Sequence, residues 1–505
     1  MQAQLVDQTL APNNAKEGIK KSFAEEVGVG RGDVMTPHSS AFIIQRDPFR
    51  AIRRGRQLFN RKFTREQGQG PLTLDGKGDV NTILAIGAGL GDSCAICHAR
   101  PRGAAGFGSD VATRPDSRDV PHLFGLGVRE MLADEITCDL RTIRSNALTQ
   151  ATTQHKPVRK YLQSKGIGFG SLTAYPNGTV DTSGVEGVNP DLRVRPFFAQ
   201  GGDISIREFL VGALAGEMGL QAVDPDLATA AAAGRVVTPA GLVLDGSLDV
   251  VLGPPTTDPT ADPDHDGVAN EIPTSIVDYL EFYLLNYFEP ATYKQTFQTK
   301  FGRKVFESIG CACCHIPDLP LQRDRRVADV ETVFDPSKNG FNGLFATANL
   351  LYTEVNDGSG FPTLKQPKLK SMLIKNIFTD FKRHNLGPNF YERNYDGSMQ
   401  TTFLTRTLWG VGSTAPYGHD GRSINLTEVI LRHGGEARCQ AEAFDRLSDL
   451  SKAALLEFLN ALVLFPPDDT ASNLSPAVPS TPLFPQFGHG SIKLTVLFND
   501  PTDVE

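Results

Sequence analysis

The chain has 505 residues, of which 40% are hydrophobic and 21% charged, with a formal net charge of −8. A chain of this length is expected to form two or three domains with ordinary globular cores. The acidic balance excludes nucleic acid as a partner because no basic surface is available for phosphates, and no apolar run is long enough for a membrane span.

Several elements are predicted along the chain. Residues 1–45 show no periodicity and are predicted to form an N-terminal extended arm. The pattern Gly-Arg-x-x-Phe occurs at 55–59 and again at 302–306, in helix-like stretches, which indicates an internal repeat. Composition rich in Gly, Asn and Asp predicts a large insertion with short strands over 320–400. Apolar spacing predicts helices over 204–218, 226–233, 275–288, 291–309, 426–433 and 447–464, and a loop covers 252–266.

Two copies of Cys-x-x-Cys-His follow the repeated pattern, at 94–98 and 311–315. Two thiols at this spacing can add to the two vinyl groups of one haem, and the next histidine then becomes the proximal iron ligand. Half of a zinc site or a redox dithiol would not need the adjacent histidine twice. The sequence therefore predicts two covalently bound c-type haems, attached by the residues Cys94, Cys97, His98, Cys311, Cys314 and His315.

Three cysteines lie outside these motifs, namely Cys138, Cys313 and Cys439. In an oxidising compartment Cys138 and Cys439 could pair as a disulfide. Buried free thiols are the alternative, and the residues alone do not decide between the two.

An acidic stretch precedes the predicted helix at 275. Its start, Asp262-x-Asp264-x-Asp266-Gly, is similar to a calcium loop. Proline stands at position 273, where such a loop places its bidentate glutamate. A solvated acidic turn that caps the following helix is the alternative, and it is the interpretation that the pattern favours.

Further stretches carry a resemblance to a known family. Residues 414–421 read Thr-Ala-Pro-Tyr-Gly-His-Asp-Gly, residues 216–218 read Gly-Glu-Met, and residues 118–121 read Arg-Asp-Val-Pro. With both haem motifs, these stretches resemble, in order, the motifs of the bacterial dihaem cytochrome c peroxidase superfamily. That superfamily includes the MauG-like maturation branch and longer dihaem oxidoreductases. Residues 1–45 and much of 320–400 lie outside the resemblance.

The repeat and the resemblance together imply a mainly α fold. It would consist of two cytochrome c-like helical domains with long loop insertions and a few short strands. The N-terminal domain, 46–270, would carry a peroxidatic haem. The C-terminal domain, 271–505, would carry an electron-transfer haem and the 320–400 insertion.

The family implies a partner set and a compartment. Hydrogen peroxide would be reduced with electrons from a small periplasmic donor, a cytochrome c or a cupredoxin, and a homodimer is compatible with the family. Covalent haem is attached outside the cytoplasm, so a periplasmic protein is expected. The chain starts without the basic and apolar segments of a signal peptide, and it is expected to be the mature form.

The resemblance also implies roles at the first haem. Glu217 matches the distal glutamate, which would move a proton between the peroxide oxygens; a glutamate that faces solvent is the alternative. No histidine occurs within 99–119, so the haem of His98 is expected to be five-coordinate, with His122 as the rival sixth ligand. Phe197 stands where the family often places a tryptophan between the haems.

At the second haem, the family places its other axial ligand fourteen residues after the loop histidine, as methionine or tyrosine. The corresponding residue here is His433, so bis-histidine ligation with His315 is expected, and with it a lower potential. A histidine that caps its helix is the alternative. The family also implies calcium at the domain interface, bound by Asp119 and the backbone carbonyls of Thr414 and Pro416.

Two other functions stay open. One is oxidation of an organic or protein substrate, as in the MauG-like branch. The other is non-catalytic electron transfer by a dihaem cytochrome, which requires two six-coordinate irons and is therefore separable by spin state.

Overall fold

The computed structural model describes residues 23, 27–70, 89, 91–98, 107–108, 110–111, 116–287, 296–334, 344–394 and 396–463. Within these residues helix predominates over strand, and the sheets are small. The helices are α1 (Ser40–Arg46), α2 (Pro48–Asn60), α3 (Cys94–Cys97), α4 (Leu126–Gln154), α5 (Ile206–Met218), α6 (Pro225–Ala231), α7 (Thr274–Asn286), α8 (Phe297–Ser308), α9 (Leu426–Arg432), α10 (Arg438–Asp445) and α11 (Asp449–Asn460).

The strands are short and antiparallel. All described sheets have two strands except the three-stranded sheet β3-β4-β5. The strands are β1 (Asp110–Val111), β2 (Arg118–Asp119), β3 (Val158–Ser164), β4 (Ile167–Ala174), β5 (Val180–Asp181), β6 (Arg235–Val237), β7 (Val243–Asp245), β8 (Leu319–Leu321), β9 (Ala328–Phe334), β10 (Leu344–Leu350), β11 (Tyr352–Val355), β12 (Leu364–Pro367), β13 (Met372–Ile374), β14 (Arg383–His384), β15 (Glu392–Arg393), β16 (Met399–Gln400) and β17 (Phe403–Leu404).

Most predicted elements are confirmed. Helices α5, α6, α7, α8, α9 and α11 lie where helical spacing placed them, and 252–266 is a loop. The expected insertion contains the predicted short strands. Strand β9 pairs with β10, β11 with β12 and β15 with β16 as consecutive strands, whereas β8 pairs with β13 and β14 with β17. A mainly helical chain with long loops and a few short strands is therefore observed.

Helix α4 was not predicted, although it is the longest helix in the described part of the chain. Its first turns are buried on every side, whereas its later part is buried only on one face, at Ile136, Leu140, Ala147 and Ala151, so the apolar pattern changes along the helix. The sheet β3-β4-β5 covers its buried positions, with Leu162, Phe169 and Leu172 in the same core. Because the burial changes along the helix, its apolar residues do not keep one helical spacing, and the sequence pattern did not predict it.

The repeated Gly-Arg-x-x-Phe pattern corresponds to two equivalent helix contacts. A Cβ at Gly55 would lie 2.2 Å from the Tyr279 carbonyl oxygen on α7, and one at Gly302 would lie 1.8 Å from the Ala454 carbonyl oxygen on α11. Glycine thus lets α2 approach α7, and α8 approach α11, backbone to backbone. The two halves of the chain use the same device.

The first of these contacts bears on the expected division into two domains. Helix α7 packs on α2 and shares a core with Ile52, Leu58 and Phe59, and Val327 and Ala328 belong to the same core. Contacts of α7 therefore extend to both sides of the expected division between 270 and 271, which stays a prediction.

The extended arm expected over residues 1–45 is also corrected at its described end. Residues 40–45 belong to α1, which Ser39 caps by accepting the Phe42 N–H. Upstream, the Arg31 guanidinium pairs with Asp226 at 2.6 Å and with Asp278 at 2.7 Å. The arm is thus anchored to α6 and α7. Residues 1–22 and 24–26 lie outside the described part of the chain.

A buried ion cluster joins α5, α6 and α7. Arg207, at the start of α5, is fully buried and contacts Asp224 at 2.8 Å, Asp278 at 3.0 Å and Glu281 at 2.7 Å. A guanidinium without partners could not be buried at this depth. The cluster therefore orients α5, whose other end approaches the first haem motif.

The cysteines outside the haem motifs are not paired. Cys138 and Cys439 are both exposed free thiols, so neither the disulfide nor the buried-thiol interpretation holds for them. Cys313 is exposed as well.

Candidate functional site

The second Cys-x-x-Cys-His motif forms a tight turn directly after α8. Gly310 has a φ of 87°, which ends the helix, and the His315 N–H donates to the Cys311 carbonyl at 3.0 Å. The His315 ring lies 6.2 Å from the ring of Phe306, the aromatic residue of the repeated pattern. Its Nδ1 donates to the carbonyl of Phe378 at 3.0 Å. This bond orients the ring and leaves Nε2 as the ligand atom.

His433 has the same arrangement. It stands at the C-cap of α9, and its Nδ1 donates to the Val429 carbonyl at 2.6 Å. The cap uses Nδ1 only, so Nε2 stays available and the two roles weighed for this residue are compatible. His433 and His315 line one cavity of about 430 Å³, together with Cys311 and Cys314.

Burial keeps both imidazoles neutral. It lowers the pKa of His315 to about 4 and also lowers the pKa of His433. Neutral imidazole is the form that binds a metal. The cavity volume lies within the range typical of cofactor sites, about 300–1,000 Å³. Two thiols, two imidazoles and an apolar lining therefore fit a c-type haem at this position.

Two arginines, the buried Arg129 and the half-buried Arg406, add to this fit, and sequence reasoning did not find them. Arg129 on α4 and Arg406 after β17 line the cavity, and burial lowers their pKa values to about 9 and about 10. Neither forms an ion pair with a described residue. Buried guanidinium groups need anionic partners, and the propionates of a haem are carboxylates. Arg406 was within reach of sequence reasoning, because it lies in the stretch that leads to the 414–421 motif.

His384 was also missed. Its Nε2 lies 2.8 Å from Asp380 and its Nδ1 2.7 Å from Glu436. Burial alone would lower the pKa of His384, but the hydrogen bonds of Asp380, Cys314 and Glu436 raise it to about 11. Ligand atoms of Cys314, Asp380 and His384 lie within 4.8 Å of one another, which is close enough for a metal. A thioether bond at Cys314 would exclude that use of its sulfur, so the two roles are mutually exclusive.

The first motif is a short helix, α3, capped by its histidine. The His98 N–H donates to the Cys94 carbonyl at 3.1 Å, and the His98 ring lies 5.8 Å from Phe59. Phe59 thus takes the place that Phe306 has in the second half. Residues 71–88, 90 and 99–106 lie outside the described part of the chain, so only part of this site's surroundings is described.

Glu217 lies close to the first motif in the fold. It is half-buried in the last turn of α5, and its carbonyl accepts the Gly91 N–H at 3.1 Å. Gly91 stands just before Cys94. The structure thus brings the end of α5 onto the loop that leads into the first haem motif, as the expected role of Glu217 requires.

The Nε2 of His122, the rival sixth ligand to the first haem, is already engaged. It donates to the Trp409 carbonyl at 2.8 Å, and the His122 ring stacks 5.5 Å from Phe124. Its Nδ1 is buried without a hydrogen-bond partner in the described part of the chain. Burial lowers the pKa of His122 to about 3, and the His98 imidazole contributes to that lowering. His122 lines the cavity of the second motif, and its role at the first haem stays a prediction.

Phe197 is buried but does not line this cavity. Its ring lies 5.7 Å from the Arg129 guanidinium and 6.0 Å from Phe209. Trp409, the only tryptophan of the chain, does line the cavity. Trp409 is thus one of the aromatic rings that border this cavity, and Phe197 packs against Arg129, which lines it.

The predicted calcium ligands are brought to one place. Asp119, Thr414 and Pro416 all border the cavity, and the Asp119 N–H donates to the His419 carbonyl at 3.0 Å. The Ala415–Pro416 peptide is cis. Calcium binding there stays a prediction.

Comparison with known proteins gives a partial match. Residues 348–462 match the family model described as "Di-haem oxidoreductase, putative peroxidase". No curated protein matches the chain. Among solved structures, a chain of Kuenenia stuttgartiensis hydrazine synthase, pressurised with 20 bar xenon, aligns over 86% of this chain and 95% of its own, at 13% identity and a TM-score of 0.32. This TM-score is too low to indicate a shared fold. No helix in the described part of the chain is long and apolar enough to cross a membrane.

Proposed function

We propose that this chain, whose residues 348–462 match a di-haem oxidoreductase family, is a dihaem c-type peroxidase that reduces hydrogen peroxide. The observation that carries the proposal is the pair His315 and His433. Both donate Nδ1 to a backbone carbonyl and line the same cavity, together with Cys311 and Cys314. Such a pair suits an electron-transfer haem that is closed on both faces.

Both haems would be held in the same way. Cys94 and Cys97 would attach the first and His98 would ligate it, as Cys311, Cys314 and His315 would do for the second. The equivalent contacts of Phe59 with His98 and of Phe306 with His315 support two cytochrome c-like units. Arg129 and Arg406 would bind propionates at the second haem.

The first haem would be the site of peroxide reduction. When bound, the haem would supply a redox-active iron, and we expect its sixth position to be open, which agrees with the engagement of His122 Nε2 by the Trp409 carbonyl. Glu217 would take a proton from one peroxide oxygen and return it to the other. The overall reaction consumes one H2O2, two electrons and two protons and yields two molecules of water. The second haem would store or relay one of the two oxidising equivalents.

The electrons must come from a donor outside the chain. We assign this role to a small redox protein, a cytochrome c or a cupredoxin, in the compartment where covalent haem is attached. A periplasmic location follows from that chemistry. Calcium at Asp119, Thr414 and Pro416 would join the two halves beside the cavity.

The test is the low-temperature electron paramagnetic resonance spectrum of the fully oxidised protein, followed by peroxide turnover with a reduced cytochrome c. One high-spin and one low-spin ferric signal, with turnover, is the expected result. Two low-spin signals without turnover would indicate an electron carrier and overturn the proposal. Turnover of an organic substrate instead, at the open haem, would place the chain with the MauG-like oxidases.

A further inference from the structure

Three carboxyl groups converge in the loop that precedes α7, and a fourth lies near them. Ligand oxygens of Asp262, Asp264 and Asp266 lie within 4.8 Å of one another. Glu271 adds a fourth carboxylate, which is under the electrostatic influence of all three aspartates. In the part of the chain that the structure describes, none of the four forms an ion pair with Lys, Arg or His. The group is therefore a concentration of acidic side chains with no positively charged side chain paired to it, and burial together with the neighbouring carboxylates raises the pKa values of Glu271 and Asp264.

This group differs from an ordinary acidic turn because two of its side chains are buried. Glu271 is 2% exposed and Asp264 3% exposed. The Glu271 Oε2 accepts the Gln221 N–H at 2.7 Å, but Oε1 is buried without a hydrogen-bond partner, and so is the Oδ1 of Asp264. Buried polar atoms without partners are rare in folded proteins, and each calls for an unseen water or ion. Ionised carboxylates this buried need a cation.

The loop itself is wound around Asp262. The carboxylate of Asp262 accepts the N–H groups of Asp266 at 3.2 Å and Gly267 at 2.9 Å. Gly267 has a φ of 94°, which makes the sharp turn that lets the three aspartates face one point. Glu271 would be the fourth ligand. It stands two residues before position 273, where an EF-hand calcium loop has its bidentate glutamate. That shift is why the sequence pattern alone favoured a solvated turn.

We propose that Asp262, Asp264, Asp266 and Glu271 bind one calcium ion, separate from the site expected at Asp119. Calcium binds oxygen ligands, and several of them are often carboxylates on a turn. Zinc and copper prefer nitrogen or sulfur ligands. Magnesium requires stricter octahedral geometry and keeps its bound waters, so a comparison of magnesium binding with calcium binding tests the identity of the ion.

This ion would stabilise the surroundings of the first haem. The Glu271 side chain packs on Gly68, where a Cβ would lie 2.3 Å from its Cγ. The adjacent Gln69 donates Nε2 to the carbonyls of Gly89 at 2.7 Å and Gly91 at 2.9 Å, just before Cys94. Gly70 donates its N–H to Met218 at 3.3 Å, next to Glu217. A cation at Glu271 therefore holds the segment that supports the first haem motif and Glu217.

The experiment is calorimetric titration of chelator-treated, haem-loaded protein with calcium chloride and, separately, magnesium chloride. Glu271→Gln and Asp264→Asn should each lose one calcium-binding event that the parent shows. Asp258→Asn is the matched control, because it removes the same charge from an exposed aspartate of the same loop. Asp119→Asn should retain this event, which separates it from the other expected site.

Thermal unfolding supplies a second readout. With chelator, the melting temperature of Glu271→Gln should be no lower than that of the parent, since the substitution removes a buried acidic group that has no cation beside it. With calcium, the parent should have a higher melting temperature than it has with chelator. Binding in Glu271→Gln equal to that of the parent would overturn the proposal. So would a parent protein whose melting temperature is the same with calcium and with chelator, a result that needs no variant. Binding lost only in Asp119→Asn would assign the calcium to the other site.

Discussion

Replacement of Glu217 by glutamine tests the proton transfer proposed at the first haem. Glutamine has the shape of glutamate but cannot take up and return a proton at peroxide. The contact to the haem loop uses the backbone carbonyl of residue 217, which accepts the Gly91 N–H at 3.1 Å, and the substitution keeps it. Helix α5 ends at Gly219 in the left-handed conformation, which also does not depend on that side chain. The backbone around the first haem should therefore stay in place.

The expected loss is the contribution of a well-placed acid/base group. That contribution is about 100- to 10,000-fold in rate, which corresponds to about 3 to 5 kcal/mol in the barrier at about 1.4 kcal/mol per factor of ten. Stopped-flow absorbance of the haem after mixing with peroxide measures the rate. Haem content and the electron paramagnetic resonance spectrum should equal those of the parent.

A matched control separates this effect from a general loss of charge. Glu307 on α8 is an exposed glutamate, paired with Arg303 at 3.1 Å on the helix surface. Its replacement by glutamine should leave the peroxide rate unchanged. If Glu217→Gln reacts as fast as the parent and the Glu307 control, Glu217 has no part in proton transfer and the reasoning is refuted.

Three further predictions follow from the site and the buried ion cluster. His433→Ala should convert the low-spin ferric signal to high-spin, reversibly with added imidazole, and an unchanged spectrum would mean another ligand. Arg207→Met should lower the unfolding free energy measured in urea by about 3 to 5 kcal/mol, because it leaves buried carboxylates unpaired. Arg207 and Arg31 outweigh burial and hold the pKa of Asp278 below its usual value, so this stability is present above the unfolded-state pKa and lost as pH falls; in Arg207→Met, acid unfolding should begin at higher pH. His384, with its pKa raised from 6.5 to about 11, contributes stability that is fully present below pH 6.5 and is lost progressively as pH rises to about 11, and urea unfolding of His384→Gln should lack that alkaline loss.

Local patterns predicted a large part of this fold. Helices α5, α7, α8 and α11 have their apolar residues at helical spacing and most have a cap at the N-terminus, and both features are encoded within a few residues. The sequence showed that the glycine is repeated, but it did not show what the glycine does in the structure. Only the packing shows that Gly55 and Gly302 each lie against the carbonyl of another helix.

Other features depend on residues far apart in the chain and could not be predicted locally. Arg129 and Arg406 meet at one cavity although 277 positions separate them, and neither position looks unusual in the sequence. His384 acquires its charge from Asp380 nearby and from Glu436 in another segment. The acidic stretch was interpreted as a solvated turn, because the burial of Glu271 against Gly68 is a tertiary contact.

The sequence by itself predicted covalent haem attachment, since two thiols and a histidine at fixed spacing are the signature of that chemistry within five residues. It also indicated Glu217 and His433 through motifs. Only the tertiary structure decided that His433 and His315 line one cavity, that His122 is bonded to Trp409, and that α7 packs on α2. The physical reason is that covalent and helical preferences act between neighbours along the chain, whereas ligand pairing, burial and charge compensation arise between segments that meet only on folding.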